Sequence, residues 1–432
     1  MLKKLGSKQI YKIIIIWLFL FFIICGIDFA FNIKPGVSPD ENYHIQLTEE
    51  YSKGGLFASN SEETYRLGNI EDIPNLYHFA LGKLLVFNIF GMENYIFLRL
   101  ISLVFSTLTC YFVYKLTQLL TDKKSVQLLS LVLVTNIPIF SFIAASVNYD
   151  ALANLFSILS IFLFFVYLKN NKHTTLLWLI IILCLGALTK ISFLPLALII
   201  VILLAINMRK KLREPKFFAG FRHGLSIVAL VAVLLTSYFY IRNLYKYHAP
   251  VPSCTDTLSH ESCLINPVYE RDYVGQQKAD IDTVGIGTYL YKWSFYMFKS
   301  TINQTGHQTI SKPKFALIPY FAVILFAVIG VIRKYKFKNK QINYLMSIIA
   351  FHALFLIFYQ NYPSYLKHGL PYLGVQGRYM LPVLGPITFL LASGSHQFKN
   401  KYLNFAVIVA VATLFIFGNY IYFKWKIDHN WL

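Results

Sequence analysis

Two adjacent carboxylates and a histidine follow the first long apolar run, in the segment Pro39-Asp40-Glu41-Asn42-Tyr43-His44. A proline suits the first turn of a helix, and acidic residues there interact favourably with the positive helix end. Asp40 and His44 would then share one helix face. That face could bind a divalent cation, or pair a general base with its orienting partner. The alternative is a solvated helix start with N-terminal acids.

The turn Ser146-Val147-Asn148-Tyr149-Asp150 is a second polar element, set between two apolar runs. Its simpler interpretation is an Asx turn, in which Asp150 also caps the following helix. If both polar elements lie on one side of a membrane, however, the carboxylate of Asp150 could approach Asp40. The turn is therefore a candidate for orienting a reacting group or for sharing a metal ion.

Lys190 lies between two short apolar runs, in Leu188-Thr189-Lys190-Ile191. An ionisable group deep in a bilayer costs at least about 2.5–3.5 kcal/mol on insertion scales, so it needs a partner or a purpose. Two interpretations remain open. Lys190 could be a helix-end lysine that snorkels to the interface, or a point charge for a lipid-linked phosphate.

The segment from Gly374 to Pro382 combines two glycines with Gln376, Arg378 and Tyr379. Glycines let a backbone approach a ligand closely, and a guanidinium offers a forked donor for phosphate oxygens. The alternative is an Arg–Tyr belt at a membrane interface. Arg99 and Arg242 lie near other helix ends, and we interpret both as snorkelling cations.

The elements that must position these residues are membrane helices. The chain has 432 residues, of which 56% are hydrophobic and only 14% charged, whereas a soluble domain carries about a quarter charged residues. A span needs about 20 apolar residues and must be helical, because lipid cannot satisfy an open backbone. We predict an all-α bundle of about eleven spans, at residues 11–31, 94–114, 126–145, 151–168, 174–189, 191–208, 225–245, 315–332, 342–360, 380–395 and 402–423.

Charge predicts the orientation of this single membrane domain, residues 1–432. With a cytoplasmic N-terminus, the cytoplasmic segments hold 22 of the 40 Lys and Arg residues and two of the 20 acids, which accounts for the whole net charge of +20. This asymmetry is what the positive-inside rule describes. It also argues against nucleic acid as a partner, because no soluble basic face is predicted. We interpret the first run as a retained span, since no small-residue cleavage site follows it.

Two long loops then lie outside, at residues 32–93 and 246–314, and both are rich in aromatic residues. Within the first, residues 74–91 are apolar but carry His78, Lys83 and Asn88, so we expect an interfacial helix rather than a span. In the second, Cys254 and Cys263 could close a small disulfide loop in an oxidising compartment. The alternative is two free thiols.

These elements, in this order, resemble the DUF2142 family of bacterial membrane proteins. The resemblance rests on Pro39-Asp40-Glu41 with His44, Asn148 with Asp150, Thr189-Lys190, and Gln376-Gly377-Arg378-Tyr379 with Pro382. That family is grouped with the GT-C superfamily of membrane glycosyltransferases. The resemblance implies a GT-C-like bundle, a polyprenyl-phosphate-linked sugar donor and an inverting reaction. It also implies that Asp40 or Glu41 is the catalytic carboxylate.

We therefore predict a glycosyltransferase that modifies a cell-envelope glycan or lipid on the outer face of the bacterial plasma membrane. The sequence contains no Walker A motif, which argues against cytoplasmic nucleotide hydrolysis. It also contains no Gly-Xaa-Ser-Xaa-Gly motif of the kind found in serine hydrolases. The alternatives are a flippase of lipid-linked sugars, or an envelope polysaccharide polymerase or ligase. The predicted roles are catalysis by Asp40 or Glu41, orientation or sharing of a Mg or Mn ion by His44, Asn148 and Asp150, donor-phosphate binding by Lys190 and Arg378, and sugar or lipid contact by Gln376 and Tyr379.

Overall fold

The computed structural model describes residues 6–53, 58–89, 91–209, 224–278, 284–306, 309–427 and 430–432. Within these ranges the protein is helical apart from loops and one two-stranded ladder, β1 (Gln304–Thr305) with β2 (Thr309–Ile310). The helices are α1 Ser7–Asn32, α2 Glu41–Lys53, α3 Leu76–Leu84, α4 Asn94–Leu120, α5 Lys124–Asn136, α6 Pro138–Ala144, α7 Asp150–Asn170, α8 His173–Thr189, α9 Leu194–Met208, α10 Gly224–Tyr247, α11 Cys254–Thr257, α12 His260–Leu264, α13 Pro267–Lys278, α14 Ile286–Ile302, α15 Lys314–Tyr335, α16 Lys340–Phe355, α17 Tyr362–His368, α18 Leu384–Ser395, α19 Lys401–Ile416 and α20 Tyr422–Lys426.

Eight helical segments of the described chain are long and apolar enough to cross a membrane, or nine if the bent pair α5–α6 counts as one span. The sequence predicted about eleven, and the difference lies in three of the predicted spans. Residues 126–145 bend by 63° between α5 and α6, because Pro138 cannot donate to the helix ladder. Residues 174–189 form α8, of 17 residues, and residues 380–395 divide into a 3-10 segment, Gly377–Val383, and the 12-residue α18.

The bundle core is built where α4 packs on α7, α7 on α8, and α15 on α18. The last pair meets through glycines. A methyl group at Gly330 would lie 2.1 Å from the carbonyl oxygen of Gly394, so only glycine allows this approach. Small residues serve the same purpose in other membrane helix pairs, where close packing replaces hydrophobic driving force.

We call one end of the bundle the loop face; it carries the described parts of residues 33–93, 248–313 and 369–376. On it, α3 packs against α2, and the 3-10 turn Leu85–Phe87 that follows α3 contacts α4. Lys83 donates to the carbonyl of Tyr51 at 2.8 Å. Twelve helical residues extend only about 18 Å, short of the roughly 30 Å of hydrocarbon. This geometry suits the interfacial helix expected over residues 74–91.

The second long loop contains the disulfide Cys254–Cys263, with a Cα–Cα distance of 5.9 Å. It joins α11 to α12, and Asn266 just beyond it donates to the carbonyl of Arg66 at 3.0 Å. This contact ties the second long loop to the first. On the other side of the first loop, Asp72 accepts from Arg242 at 2.7 Å and from Tyr247 at 2.9 Å, so Arg242 has a specific partner.

Candidate functional site

Glu41, the first residue of α2, is fully buried and its carboxylate is saturated with hydrogen bonds. Oε1 accepts from Arg99 Nε at 2.8 Å and from the Val147 amide at 3.0 Å. Oε2 accepts from Arg99 Nη2 at 2.7 Å and from the Gly36 amide at 3.0 Å. The carboxylate therefore joins α4, the first loop and the turn before α7.

Arg99 is equally enclosed, with 1% of its surface exposed. Besides Glu41 it donates to the carbonyls of Ala30 at 2.9 Å, Ile33 at 2.6 Å and Lys34 at 3.2 Å. The interpretation of Arg99 as a snorkelling cation was wrong. Its guanidinium turns inward because the end of α1 and the start of α2 offer it both carbonyls and a carboxylate.

Asp40 precedes α2 and has a left-handed backbone, with φ +58°. Its side chain is 44% exposed and accepts from Arg378 Nη2 at 2.5 Å. Asn148 fixes the same loop, since its Nδ2 donates to the Pro39 carbonyl at 3.0 Å. Its Oδ1 accepts from the Asp150 amide at 2.9 Å, as in an Asx turn. The two acidic elements predicted from the sequence thus meet at the loop face.

Lys190 and Asp150 form a buried ion pair, and each side chain is 5% exposed. The lysine Nζ lies 4.3 Å from the ring centre of Tyr149 and 5.2 Å from that of Tyr379. Of the two interpretations left open, the snorkelling one is wrong, because the ammonium is enclosed between aromatic rings. Lys190 ends α8 in an extended conformation, which turns its side chain toward α7.

Arg378 links the two acidic elements from the start of the 3-10 segment, and it is 5% exposed. Its Nη1 lies 4.0 Å from Asp150 Oδ2. Within the described chain, its Nε and Nη1 and the Oδ2 of Asp150 have no hydrogen-bond partner. Burial alone would lower the pKa of Arg378, but Tyr379, Asp150 and Asp40 raise it. A buried, charged guanidinium with unused donors is suited to an anionic ligand, because unmade hydrogen bonds of buried groups are costly.

His44 pairs with a residue that the sequence analysis did not assign to the site. Its Nδ1 lies 2.9 Å from His78 Nε2, and its ring lies 4.5 Å from that of Tyr149. Burial lowers the pKa of His44, and the nearby His78, Arg378 and Lys190 lower it further. Burial also lowers the pKa of His78, to about 3. Both rings are therefore neutral at physiological pH.

Two of the remaining predicted residues flank Arg378. The carbonyl of Gln376 accepts from the amide of Tyr379 at 3.0 Å. The ring of Tyr379 lies 5.3 Å from the guanidinium carbon of Arg378, and its carbonyl lies 2.8 Å from His352 Nε2. Tyr379 therefore contacts both cations of the site, Lys190 and Arg378.

An apolar cavity with a volume of about 280 Å³ extends from Gly377 into the bundle. Ser294 and Thr301 are the main polar exceptions in its wall. Its lining comes from α14, α15, α16, α18, α19 and the 3-10 segment, and includes Trp293, Met297, Leu381, Leu384 and Phe415. Arg378 is not itself in the lining, but it directly follows Gly377 in the chain, so a buried cation and an apolar cavity are contributed by neighbouring residues. Such a combination suits a ligand with a charged head and an apolar chain.

The donor set does not fit a divalent cation. In the described chain no three His, Cys, Asp or Glu residues are grouped as metal ligands. Asp40 and Asp150 are each paired with a basic side chain, and the Nδ1 of His44 is engaged with His78. A bound Mg or Mn ion would have to displace these cations, so no step is assigned to a metal here.

The fold and site define a multi-pass integral membrane protein with a buried charged centre at one end of its bundle. The family model described as "Predicted membrane protein (DUF2142)" matches residues 73–386. The chain belongs to this family. No curated protein matches the sequence.

Among solved structures, the chain is similar to the Archaeoglobus fulgidus oligosaccharyltransferase in complex with Zn and sulfate, with a TM-score of 0.51 and 16% identity over 94% of this chain and 52% of the other. It is also similar to the oligosaccharyltransferase AglB of that organism in complex with an inhibitory peptide and a dolichol-phosphate, with a TM-score of 0.47 and 14% identity over 94% and 55%. The chain thus spans about half the length of these structures. The first likeness shows a shared fold over the matched part of that structure.

Arg99 and His78 are the residues that sequence reasoning missed. A signal existed for Arg99, since it stands five residues inside α4 in an otherwise apolar stretch, and intramembrane cations usually have partners. For His78 the pattern was weaker, because a single histidine on a short apolar helix is typical of a packed core position.

Proposed function

We propose that the protein is an inverting membrane glycosyltransferase that takes a sugar from a polyprenyl-phosphate-linked donor. The observation that carries this proposal is the buried guanidinium of Arg378, whose Nε and Nη1 have no hydrogen-bond partner in the described chain. The residue before it, Gly377, lines an apolar cavity of about 280 Å³. A phosphate could accept a charge-assisted hydrogen bond from one of these donors while the lipid chain enters the cavity.

In this proposal Arg378 and Lys190 both stabilise the negative charge of the donor phosphate. Arg378 binds the donor phosphate and stabilises the charge that develops on it as the sugar leaves. Lys190 is held by Asp150 and by two tyrosine rings, so it adds positive potential from a fixed position. Tyr379 and Gln376 contact the sugar or the lipid in this proposal.

Asp40 is the proposed general base. Its carboxylate takes the proton of the acceptor hydroxyl. The acceptor oxygen then bonds to the anomeric carbon, and the bond from that carbon to the donor phosphate oxygen breaks, releasing polyprenyl phosphate. Asp40 suits this role because its side chain is 44% exposed, whereas Glu41 is fully buried. His44, Asn148 and Asp150 orient the loop and the cations around it.

The proposed acceptor is a glycan or lipid of the bacterial cell envelope, and the proposed location of the loop face is outside the plasma membrane. The charge asymmetry supports this orientation, since 22 of the 40 Lys and Arg residues but only two of the 20 acids fall in the segments that the sequence assigns to the cytoplasmic side. Cysteine labelling of an exposed loop-face position in intact cells would test it.

The direct test of function is transfer of a radiolabelled sugar from polyprenyl phosphate by the purified protein in nanodiscs. Asp40→Asn should lower kcat about 100- to 10,000-fold, the usual contribution of a general base, while lipid-phosphate binding is kept. Arg378→Met should instead abolish binding of polyprenyl phosphate. Glu50→Gln is the matched control, because Glu50 is another acid on α2 and forms a surface pair with Lys53.

Full activity of Asp40→Asn would show that Asp40 is not the general base. Label that crosses the bilayer without transfer, in wild-type protein, would favour a flippase and end the enzyme proposal. If Arg378→Met transfers sugar as well as the wild type does, the donor phosphate binds elsewhere.

A further inference from the structure

We infer that Glu41 and Arg99 form a positioning clamp that holds Asp40 toward the reacting atoms, and that Glu41 itself exchanges no proton. This inference rests on the proposed function, because it assigns the neighbouring carboxylate, Asp40, to proton transfer. It divides the adjacent acids of the Pro39-Asp40-Glu41 motif into one reacting group and one fixed group.

The clamp connects three parts of the chain that are far apart in sequence. Glu41 accepts from Arg99 on α4, from the Gly36 amide in the first loop and from the Val147 amide in the turn before α7. Arg99 in turn donates to three carbonyls at the end of α1, those of Ala30, Ile33 and Lys34. Moving any one segment would therefore break bonds to the other two.

Asp40 stands at the point that this network constrains. Its left-handed backbone, φ +58°, is a conformation that non-glycine residues adopt only when the surroundings determine it. The Pro39 carbonyl before it accepts from Asn148, and its own carbonyl accepts from the His44 amide at 3.1 Å. The next residue is the clamped Glu41. The side chain of Asp40 is thereby directed to Arg378, whose Nη2 donates to it at 2.5 Å.

Glu41 is poorly suited to accept a proton. Each of its oxygens already accepts two hydrogen bonds, and none of its surface is exposed. Protonation would remove its charge opposite the buried Arg99 and would replace an acceptor by a donor. A carboxylate in this state stabilises geometry, as the partners of catalytic groups do in other sites.

The test compares Glu41→Gln, Asp40→Asn and Arg99→Lys in nanodiscs, with Glu50→Gln as the control. Glu41→Gln should lower kcat about tenfold to a hundredfold, the effect of a small misplacement, with the donor KM within about twofold. The plot of log kcat against pH should keep its rising limb in Glu41→Gln and lose it in Asp40→Asn. The inference would be overturned if the rising limb of this pH profile were lost in Glu41→Gln and kept in Asp40→Asn.

Hydrogen exchange of residues 34–44 gives a second measurement that needs no activity. Arg99→Lys should speed exchange in that segment and also at residues 146–150, because both are joined through Glu41. Exchange unchanged in both segments overturns the clamp, whatever the activity. If Arg99→Lys speeds exchange in both segments but the wild-type protein transfers no sugar, the clamp stands and the proposed function fails. The failure of the clamp and the failure of the proposed function are therefore distinguishable.

Discussion

Two arginine–carboxylate pairs lie close together at the loop face, and they differ in how completely their hydrogen bonds are made. Arg99 and Glu41 are both enclosed, and each carboxylate oxygen has two donors. Arg378 donates to Asp40 through Nη2, while its Nε and Nη1 have no hydrogen-bond partner in the described chain. An arginine and a carboxylate thus form a saturated pair in one place and an unsaturated pair in the other.

The difference separates structure from ligand binding. A buried polar network is stable when every member is satisfied and costly when it is not. The Arg99 pair needs no further group, so it can define the fold locally. The Arg378 pair retains donors that a ligand or water can use, and the neighbouring residue Gly377 lines an apolar cavity. Charge type alone would not distinguish the two arginines.

Removing each arginine should therefore change stability by very different amounts, and this is the largest effect we expect. Arg99→Met should destabilise the protein by about 3–5 kcal/mol, because it leaves Glu41 as an uncompensated buried charge. Arg378→Met should change stability by less than about 1 kcal/mol, since Asp40 is partly exposed and Asp150 keeps Lys190. Thermal unfolding in detergent measures both. Equal losses for the two variants would show that saturation does not separate the pairs.

The sequence predicted the bundle well where apolar runs are long, as in α1, α4, α7 and α10. It placed too many full spans, because helix bends depend on contacts as well as on composition. Pro138 breaks residues 126–145 by 63°, while Pro319 lies inside α15 and leaves it one helix. A proline alone does not tell these outcomes apart.

The proximity of four polar residues was predictable from the sequence, but their hydrogen bonds were not. Asp40, Asp150, Lys190 and Arg378 converge at one end of the bundle, as required for the predicted chemistry. Sequence patterns could not show that Glu41 faces Arg99 while Asp40 faces Arg378. That choice follows from one backbone feature, the left-handed φ of Asp40, which depends on contacts made by residues more than fifty positions away.

The His44–His78 pair is buried like the Arg99–Glu41 pair, but it is neutral. Its contribution to folding stability should therefore depend on pH. The pKa of His78 is lowered to about 3 from about 6.5 in the unfolded chain. Between these values the unfolded chain binds a proton that the folded one does not, so stability should fall as pH falls below about 6.5. The slope is at most about 1.4 kcal/mol per pH unit for each histidine.

Thermal unfolding at pH 8 and pH 5 checks this expectation. His78→Gln should reduce the loss between the two values, while His260→Gln, in the second long loop, should leave it unchanged. If His78→Gln leaves the loss intact, other groups cause it and the pair does not titrate as its burial suggests.

The smallest effect should come from a third kind of ion pair, the exposed one. Lys424 on α20 lies 2.7 Å from Asp28 on α1, with side chains 38% and 26% exposed. Surface pairs contribute only about 0–1 kcal/mol, because solvent screens them and side-chain entropy opposes them. Asp28 also accepts from Asn32 at 3.0 Å, so it keeps a partner when the lysine is lost. Lys424→Met should therefore lower stability by less than about 1 kcal/mol and leave kcat unchanged, as measured by thermal unfolding and by sugar transfer. A loss as large as that of Arg99→Met would mean that proximity of charges, and not their burial and saturation, determines what these pairs contribute.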